Sequence, residues 1–322
     1  MAFPTLTTLQ NLSVPNRQAG WYHPNDNKRD QFLRKIEKVE MVMATDEYQI
    51  NRANNIPSVP FLQSAADKTL PTTNVTLSSF PFQRVAEHIE LDTFASISGR
   101  MSDNLEMMAR GVKLGILREL GTQILQGTTP PDPLGLESLT SSTTVGAANG
   151  NPNGGFMTLR DLDKSIYTVA ATDDFLGGGG PTCAVLNPKT LRELLGLIEA
   201  TSNSESGHWE YDHELDAPVF CFRGIKFYIS DFMSLVETKG VGTNLTSIYF
   251  IKMNGPTGLK LAYARDPECQ DVNEFGIHQY SIPIDQDKNR RGISIEAFYT
   301  LIYPEQGTAS RLDGINPTQY AL

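Results

Sequence analysis

At 322 residues the chain is long enough for one large domain or two modest ones and buries a sizeable core. Its 39% hydrophobic and 20% charged content and mean hydropathy of −0.28 are those of a globular protein, and no apolar run is long enough to span a bilayer, which argues against disordered, fibrous and helical membrane classes. A net charge of −10 with no basic face argues against specific DNA or RNA binding, which needs phosphate neutralisation, but leaves open a protein that merely encloses nucleic acid.

Residues 1–26 are rich in Pro, Asn, Thr and Gly without a sustained period, and predict an extended arm that is ordered only where something else holds it. The opening MAFPTLTTLQNLSVPNRQ lacks the basic start and apolar block of a signal peptide, so the chain is expected to remain in the cytoplasm where it is made. The one basic cluster, residues 27–38, is interleaved with acids. It predicts a short amphipathic helix over 29–36 with Phe32, Leu33 and Ile36 on one face.

From Val39 to Thr93 alternating strand patterns (KVEMVMA, YQINRA, NVTLSSF, RVAEHIELD) flank a proline-rich stretch. This predicts a two-stranded ribbon projecting from the body, too weak to stand alone. A long helix then starts near Ser102, with Asp103 and Glu106 at capping-box spacing. Its stripe is Leu105, Met108, Val112, Ile116, Leu120 and Ile124, widened by Ala109 and Leu117. Gly111, Gly115 and Gly121 lie inside it, each costing about 1 kcal/mol relative to Ala, and predict a close neighbour along the helix. Gly127 is expected to end the helix, and Pro130, Pro131 and Pro133 to forbid its resumption.

A Gly/Ser/Asn-rich connection over 141–155 leads to a capped helix with Leu159, Leu162, Ile166 and Val169 inward. The buried-type strand TCAVLN follows, then a helix with Asn187 as N-cap and Pro188 in its first position. Strands PVFCF, IKFYIS, SIYFIKM, LKLAYAR, GIHQYSIPI and GISIEAFYTLIY complete an α+β order.

Chemistry is sparse. The run FLGGGGPTC (175–183) lacks the Gly-Lys-Ser/Thr ending of a phosphate loop and reads as a surface turn. In HWEYDHELD, His208 and His213 are five apart, not the four a helix would need to share a metal; with Glu210, Asp212, Glu214 and Asp216 they read as a solvated acidic loop. Glu90 and Asp92 alternate along a strand and share a face, as a catalytic pair or a solvent face would. There is no G-x-S-x-G and no dinucleotide fingerprint. Cys183, Cys221 and Cys269 lack paired spacing and read as free buried thiols, and the sequons at Asn11, Asn74 and Asn244 carry no meaning in that compartment. The residues therefore predict no catalytic, cofactor-binding or metal-ligating site, no cofactor and no enzyme.

The order of the pieces is informative: an arm, a ribbon, a strand running into a long helix, then QGT…DPLGL (126–136). It resembles the major capsid proteins of tailed bacteriophages with the Hong Kong 97 fold. LNPKTLRELLGL (186–197), FRGIKFYISDFM (222–233), the closing RRGISIEAFYTLIYPEQGTASRLDGI and the ribbon phrase NNIPSVPF are similar to phrases of that family.

The resemblance implies an N-terminal arm over 1–37 and an E-loop ribbon over 38–86. It implies a peripheral domain over 87–150 and about 258–290 with a spine helix at 103–126, an axial domain over 151–257 and about 291–305, and a tail at 306–322. The implied function is structural: many copies form pentamers and hexamers of an icosahedral shell around double-stranded DNA, without sequence-specific binding or membrane contact. Implied partners are separate scaffolding and portal proteins, with or without a decoration protein; a separate scaffold or a different assembly route is expected because no scaffolding segment precedes the arm. Lys68 is the one ribbon lysine within SVPFLQSAADKTLPTT, and no partner Asn is identifiable, so non-covalent stabilisation is expected. An acidic wall is expected to let packaged DNA move. Encapsulin compartments use the same architecture and are the alternative, with an α+β enzyme using Glu90, Asp92 or the His208/His213 loop as a further one.

Overall fold

The computed structural model describes residues 30–42, 47–53, 75–92, 101–127, 134–172, 180–201, 207–253, 258–265, 276–285, 290–303 and 308–318. The expected arm over 1–26, Lys68, the glycines 177–179, the three prolines and Cys269 lie outside these residues.

Two sheets organise the chain. The larger has eight strands: β5 (Thr144–Gly146), β6 (Cys183–Leu186), β7 (Gly207–Asp212), β8 (Ala217–Phe222), β9 (Ile225–Ile229), β10 (Glu237–Lys239), β11 (Gly242–Ile251) and β15 (Ala309–Ile315). Their order is β5-β15-β11-β6-β9-β8-β7, with β10 paired to β11. Successive side chains of a strand point to opposite faces, and both faces here are buried. Ala184, Leu186, Phe220, Phe222, Phe227, Ile248 and Phe250 join one core with α4 (Leu159–Thr172) and α5 (Pro188–Ala200). Their neighbours Cys183, Val185, Val219, Tyr228, Tyr249 and Ile251 join the other core, which also takes in the long helix α2 (Met101–Gln126).

The smaller sheet has five strands: β1 (Glu37–Val42), β4 (Gln83–Asp92), β12 (Lys260–Arg265), β13 (Ile277–Asp285) and β14 (Arg290–Ile302). β4 pairs with β14 over 290–299, β13 over 290–297 and β12 over 299–302. Because β4 overlaps both others, β12 and β13 must lie end to end along the opposite edge of β14. β2 (Glu47–Ala53) and β3 (Val75–Pro81) form a separate antiparallel ribbon in a regular seven-pair register.

β14, within the 291–305 stretch expected to return to the axial domain, pairs in the five-stranded sheet, and β15, within the expected 306–322 tail, pairs in the eight-stranded one. Leu312 and Ile315 of β15 are fully buried. Within residues 30–37, expected as part of the arm, Phe32, Leu33 and Ile36 of and beside α1 (Gln31–Lys35) are each 2% exposed or less. Nor is the connection over 141–155 a bare linker, for it supplies β5, paired to β15 beside the short helix α3 (Leu136–Leu139).

Helix termini follow the sequence closely. Asn187 Oδ1 accepts from the Lys189 N–H at 3.0 Å with Pro188 in the first position of α5, as expected. Before α4, the Thr158 hydroxyl accepts from the Asp161 N–H and the Asp161 carboxylate from the Thr158 N–H, both at 3.2 Å, a reciprocal capping box. α2 begins at Met101, which puts Asp103 inside the helix and not at its cap. At its other end the Gly127 N–H still donates to Gln123 O at 2.9 Å, and the Gly127 carbonyl accepts from Gly135 N–H at 2.8 Å. A side chain at Gly135 would collide with the last-turn backbone, so the chain leaves the helix and returns directly onto its end.

Candidate assembly surfaces

The predicted stripe of α2 is confirmed where it is described: Ala109, Ile116, Leu117, Leu120 and Ile124 are buried, with Met108 and Val112 packed against them. The glycines divide. A Cβ at Gly121 would strike the Phe232 ring, whose carbonyl accepts from the Gln126 amide at 2.8 Å. At Gly111 and Gly115 a Cβ would meet nothing within 4 Å, so the close neighbour expected there does not come from this chain's described residues.

Residues 30–36 fasten the start of the described chain to the eight-stranded sheet. A five-residue helix cannot hold itself in water, so tertiary contacts must fix it. Three buried side chains contribute about 1.5–3 kcal/mol each, which roughly offsets about 1–2 kcal/mol per residue of backbone ordering. Specific bonds then decide the position. The Gln31 side-chain oxygen accepts from Ile229 N–H at 3.0 Å, extending the sheet's ladder. Arg34 donates to the Leu215 and Glu214 carbonyls at 3.1 Å, and Lys35 pairs with Asp212 at 3.0 Å and with Glu214. Asp30 caps the helix, accepting from Leu33 N–H at 2.8 Å and from Ser230 Oγ at 2.6 Å. It is 3% exposed, and burial outweighs both bonds, so its carboxyl is pushed up to about 6.

The segment HWEYDHELD is an edge hairpin, not a loop. β7 carries 207–212, the turn 213–216 has Asp216 at φ +53°, and β8 returns. Alternation sorts its side chains. Trp209 and Tyr211 point to the α4–α5 face, the indole edge-to-face with Phe220 at 5.5 Å, yet both remain about half exposed. His208, Glu210 and Asp212 point the other way. Glu210 pairs with Lys226 at 2.9 Å, which holds its carboxyl below the usual range, and Asp212 belongs to Lys35. His213 lies on the turn with its ring against Tyr211, and Asp216 accepts from the Tyr211 hydroxyl. Among the described residues the two histidines share no partner. β8 and β9 are joined by Arg223-Gly224, both at positive φ, the two-residue turn that matches strand twist.

In the half of the sheet opposite β7, Val236 and Val241 flank β10 at 73% and 83% exposure. Arg311 of β15 is held nearby by Glu137 and Glu237 at 3.0 Å each and lies over the Tyr249 ring. Glu90, as expected, lies on the exposed face of β4, with buried Ile89 on the other; Asp92 follows it at the strand end, its side chain outside the described residues. Cys183 and Cys221 are free and buried.

The pattern among the described residues is of half-exposed aromatics on one unpaired sheet edge, exposed valines in the other half, and a ribbon paired only with itself. No protein-family model matches the chain, and no curated protein matches it in sequence. Solved structures do match. The holo-SrpI encapsulin complex of Synechococcus elongatus PCC 7942 covers 100% of this chain and 99% of its own at 13% identity and a TM-score of 0.70. The capsid of an empty GTA particle covers 97% and 98% at 11% identity and 0.60, and a structure from Microbacterium phage Oxtober96 covers 98% and 99% at 11% identity and 0.59. The chain has the α+β Hong Kong 97-type fold over its whole length, as the sequence resemblance implied.

Proposed function

We propose that this chain is a structural shell subunit, a major capsid protein whose copies close an icosahedral shell around double-stranded DNA. The observation that carries the reading is end-to-end agreement with shell-forming folds, with no large part of either chain left over to house a separate activity. The surface supports it. A closed ring needs two different, complementary patches per subunit, and the β7 edge with Trp209 and Tyr211 lies in the opposite half of the sheet from Val236 and Val241. A two-stranded ribbon is marginal in water; β3 packs Phe80 on Ala262, Ile302 and Tyr303 of the body, and the ribbon would gain further stability by lying on a neighbour. Scaffolding, portal and decoration proteins are the further partners this reading carries, and the virion is its location.

Electron microscopy of the purified protein is the test. Uniform polyhedral particles are expected; only small oligomers across salt, pH and added scaffold would overturn the reading. The encapsulin shares the fold, so contents are decided separately. Nuclease-protected duplex DNA in particles from the native source supports a genome container, whereas a single co-purifying protein cargo without DNA refutes it.

A further inference from the structure

Strand register brings together three donors that are distant in sequence. His208 and Glu210 lie two apart on one face of β7, and Cys221 of β8 is the residue directly opposite His208. An imidazole nitrogen, a carboxylate oxygen and the Cys221 sulfur all lie within 4.8 Å of one another. We propose that His208, Glu210 and Cys221 bind one divalent transition-metal ion of the zinc type, with its fourth position left to water or to a group from another molecule.

The donor set is the argument for the ion. Nitrogen, sulfur and a single carboxylate oxygen suit borderline-soft zinc and not magnesium or calcium, which take oxygen. Tetrahedral bonds of about 2.0–2.3 Å set ligand atoms about 3.3–3.8 Å apart. Glu210 Oε2 is already 3.4 Å from Cys221 Sγ, and exposed His208 can close the remaining distance by side-chain rotation. Glu210 is oriented for this: Lys226 Nζ holds Oε1 at 2.9 Å, leaving Oε2 toward the sulfur. Paired strands place all three ligands on a rigid frame. Lys226 opposes the ion's charge, and the carboxylate and the thiolate, whose proton leaves to solvent on binding, offset it. The site stands on this geometry alone and does not depend on shell formation.

The full-length protein, stripped with chelator, is titrated with Co²⁺ as optical probe and then with Zn²⁺ in competition. Expected are one equivalent of Co²⁺ with a thiolate charge-transfer band in the near ultraviolet, and its displacement by Zn²⁺. Cys221→Ser removes the band, and His208→Ala weakens binding by more than about ten-fold, the scale on which even outer-shell losses act. His213→Ala leaves it unchanged. The proposal is overturned if no band forms, if it persists in Cys221→Ser, if His208→Ala binds within about two-fold of the parent, or if His213→Ala loses as much. Because His208 is solvent-exposed, its variant tests the site even where Cys221→Ser disturbs the core.

Discussion

Asp30→Asn probes the anchor that holds α1 to the eight-stranded sheet. The carboxyl is buried at the helix cap, accepts bonds from Leu33 N–H and Ser230 Oγ, and lies near Asp231, which adds repulsion. Burial is the largest effect, and the folded-state pKa of about 6 lies above the ordinary 3.8. The folded protein therefore keeps this proton to higher pH than the unfolded chain. Its contribution is fully present below pH 3.8 and is lost as pH rises through about 6. The difference corresponds to about 3 kcal/mol. An amide cannot ionise, yet its oxygen still caps Leu33, and Ser230 can turn its hydroxyl to accept. Urea unfolding of dilute subunits, followed by circular dichroism from pH 4 to 8, gives the variant-minus-parent stability. Carboxyls that do not interact with Asp30 cancel in that difference. It is expected to rise in the variant's favour by about 2 kcal/mol between pH 4 and 7, most steeply near pH 5 and levelling off above pH 6. A difference flat with pH would refute the buried, proton-holding Asp30.

Gly115→Ala is expected to raise subunit stability by up to about 1 kcal/mol through helix propensity alone, whereas Gly121→Ala lowers it by forcing Phe232 aside; paired thermal melts distinguish the two, and loss of stability at position 115 would contradict the open face. Arg311→Met leaves Glu237, partly buried and with its carboxyl already pushed up by burial, without its cation, and is expected to cost about 1.5–3 kcal/mol in urea melts. With its net charge of −10, the purified protein is expected to bind free duplex DNA weakly; avid binding with a steep inverse salt dependence would refute the reading of a mildly repulsive wall.

Local grammar was legible in the sequence. Asn187-Pro188 start a helix, the 3.6-residue stripe of α2 is buried where it was expected, and Phe32, Leu33 and Ile36 share an inward face, because each rests on contacts within a few residues. Sheet membership was not. Both β14 and β15 are strands near the C-terminus, and nothing local says that one joins β4 and the other β11. The same limit hid the donor cluster. Within HWEYDHELD the visible pairing was His208 with His213, but strand geometry points them to different neighbours and brings in Cys221 from the next strand. Gly135 escaped notice too, since the backbone it must clear lies across a loop.

The ribbon strand β3 ends at Pro81 and β4 begins at Gln83, with Phe82 alone between them. The ribbon is thus a lever whose shaft continues into the body. A pull along it loads β4 in shear against ten registered pairs with β14, from Gln83↔Tyr299 to Asp92↔Arg290, so the bonds resist together instead of opening one by one like a zipper. Since β14 also carries β12 and β13, and β4 itself packs on the long helix, load on the ribbon would spread into the five-stranded sheet and the helix together.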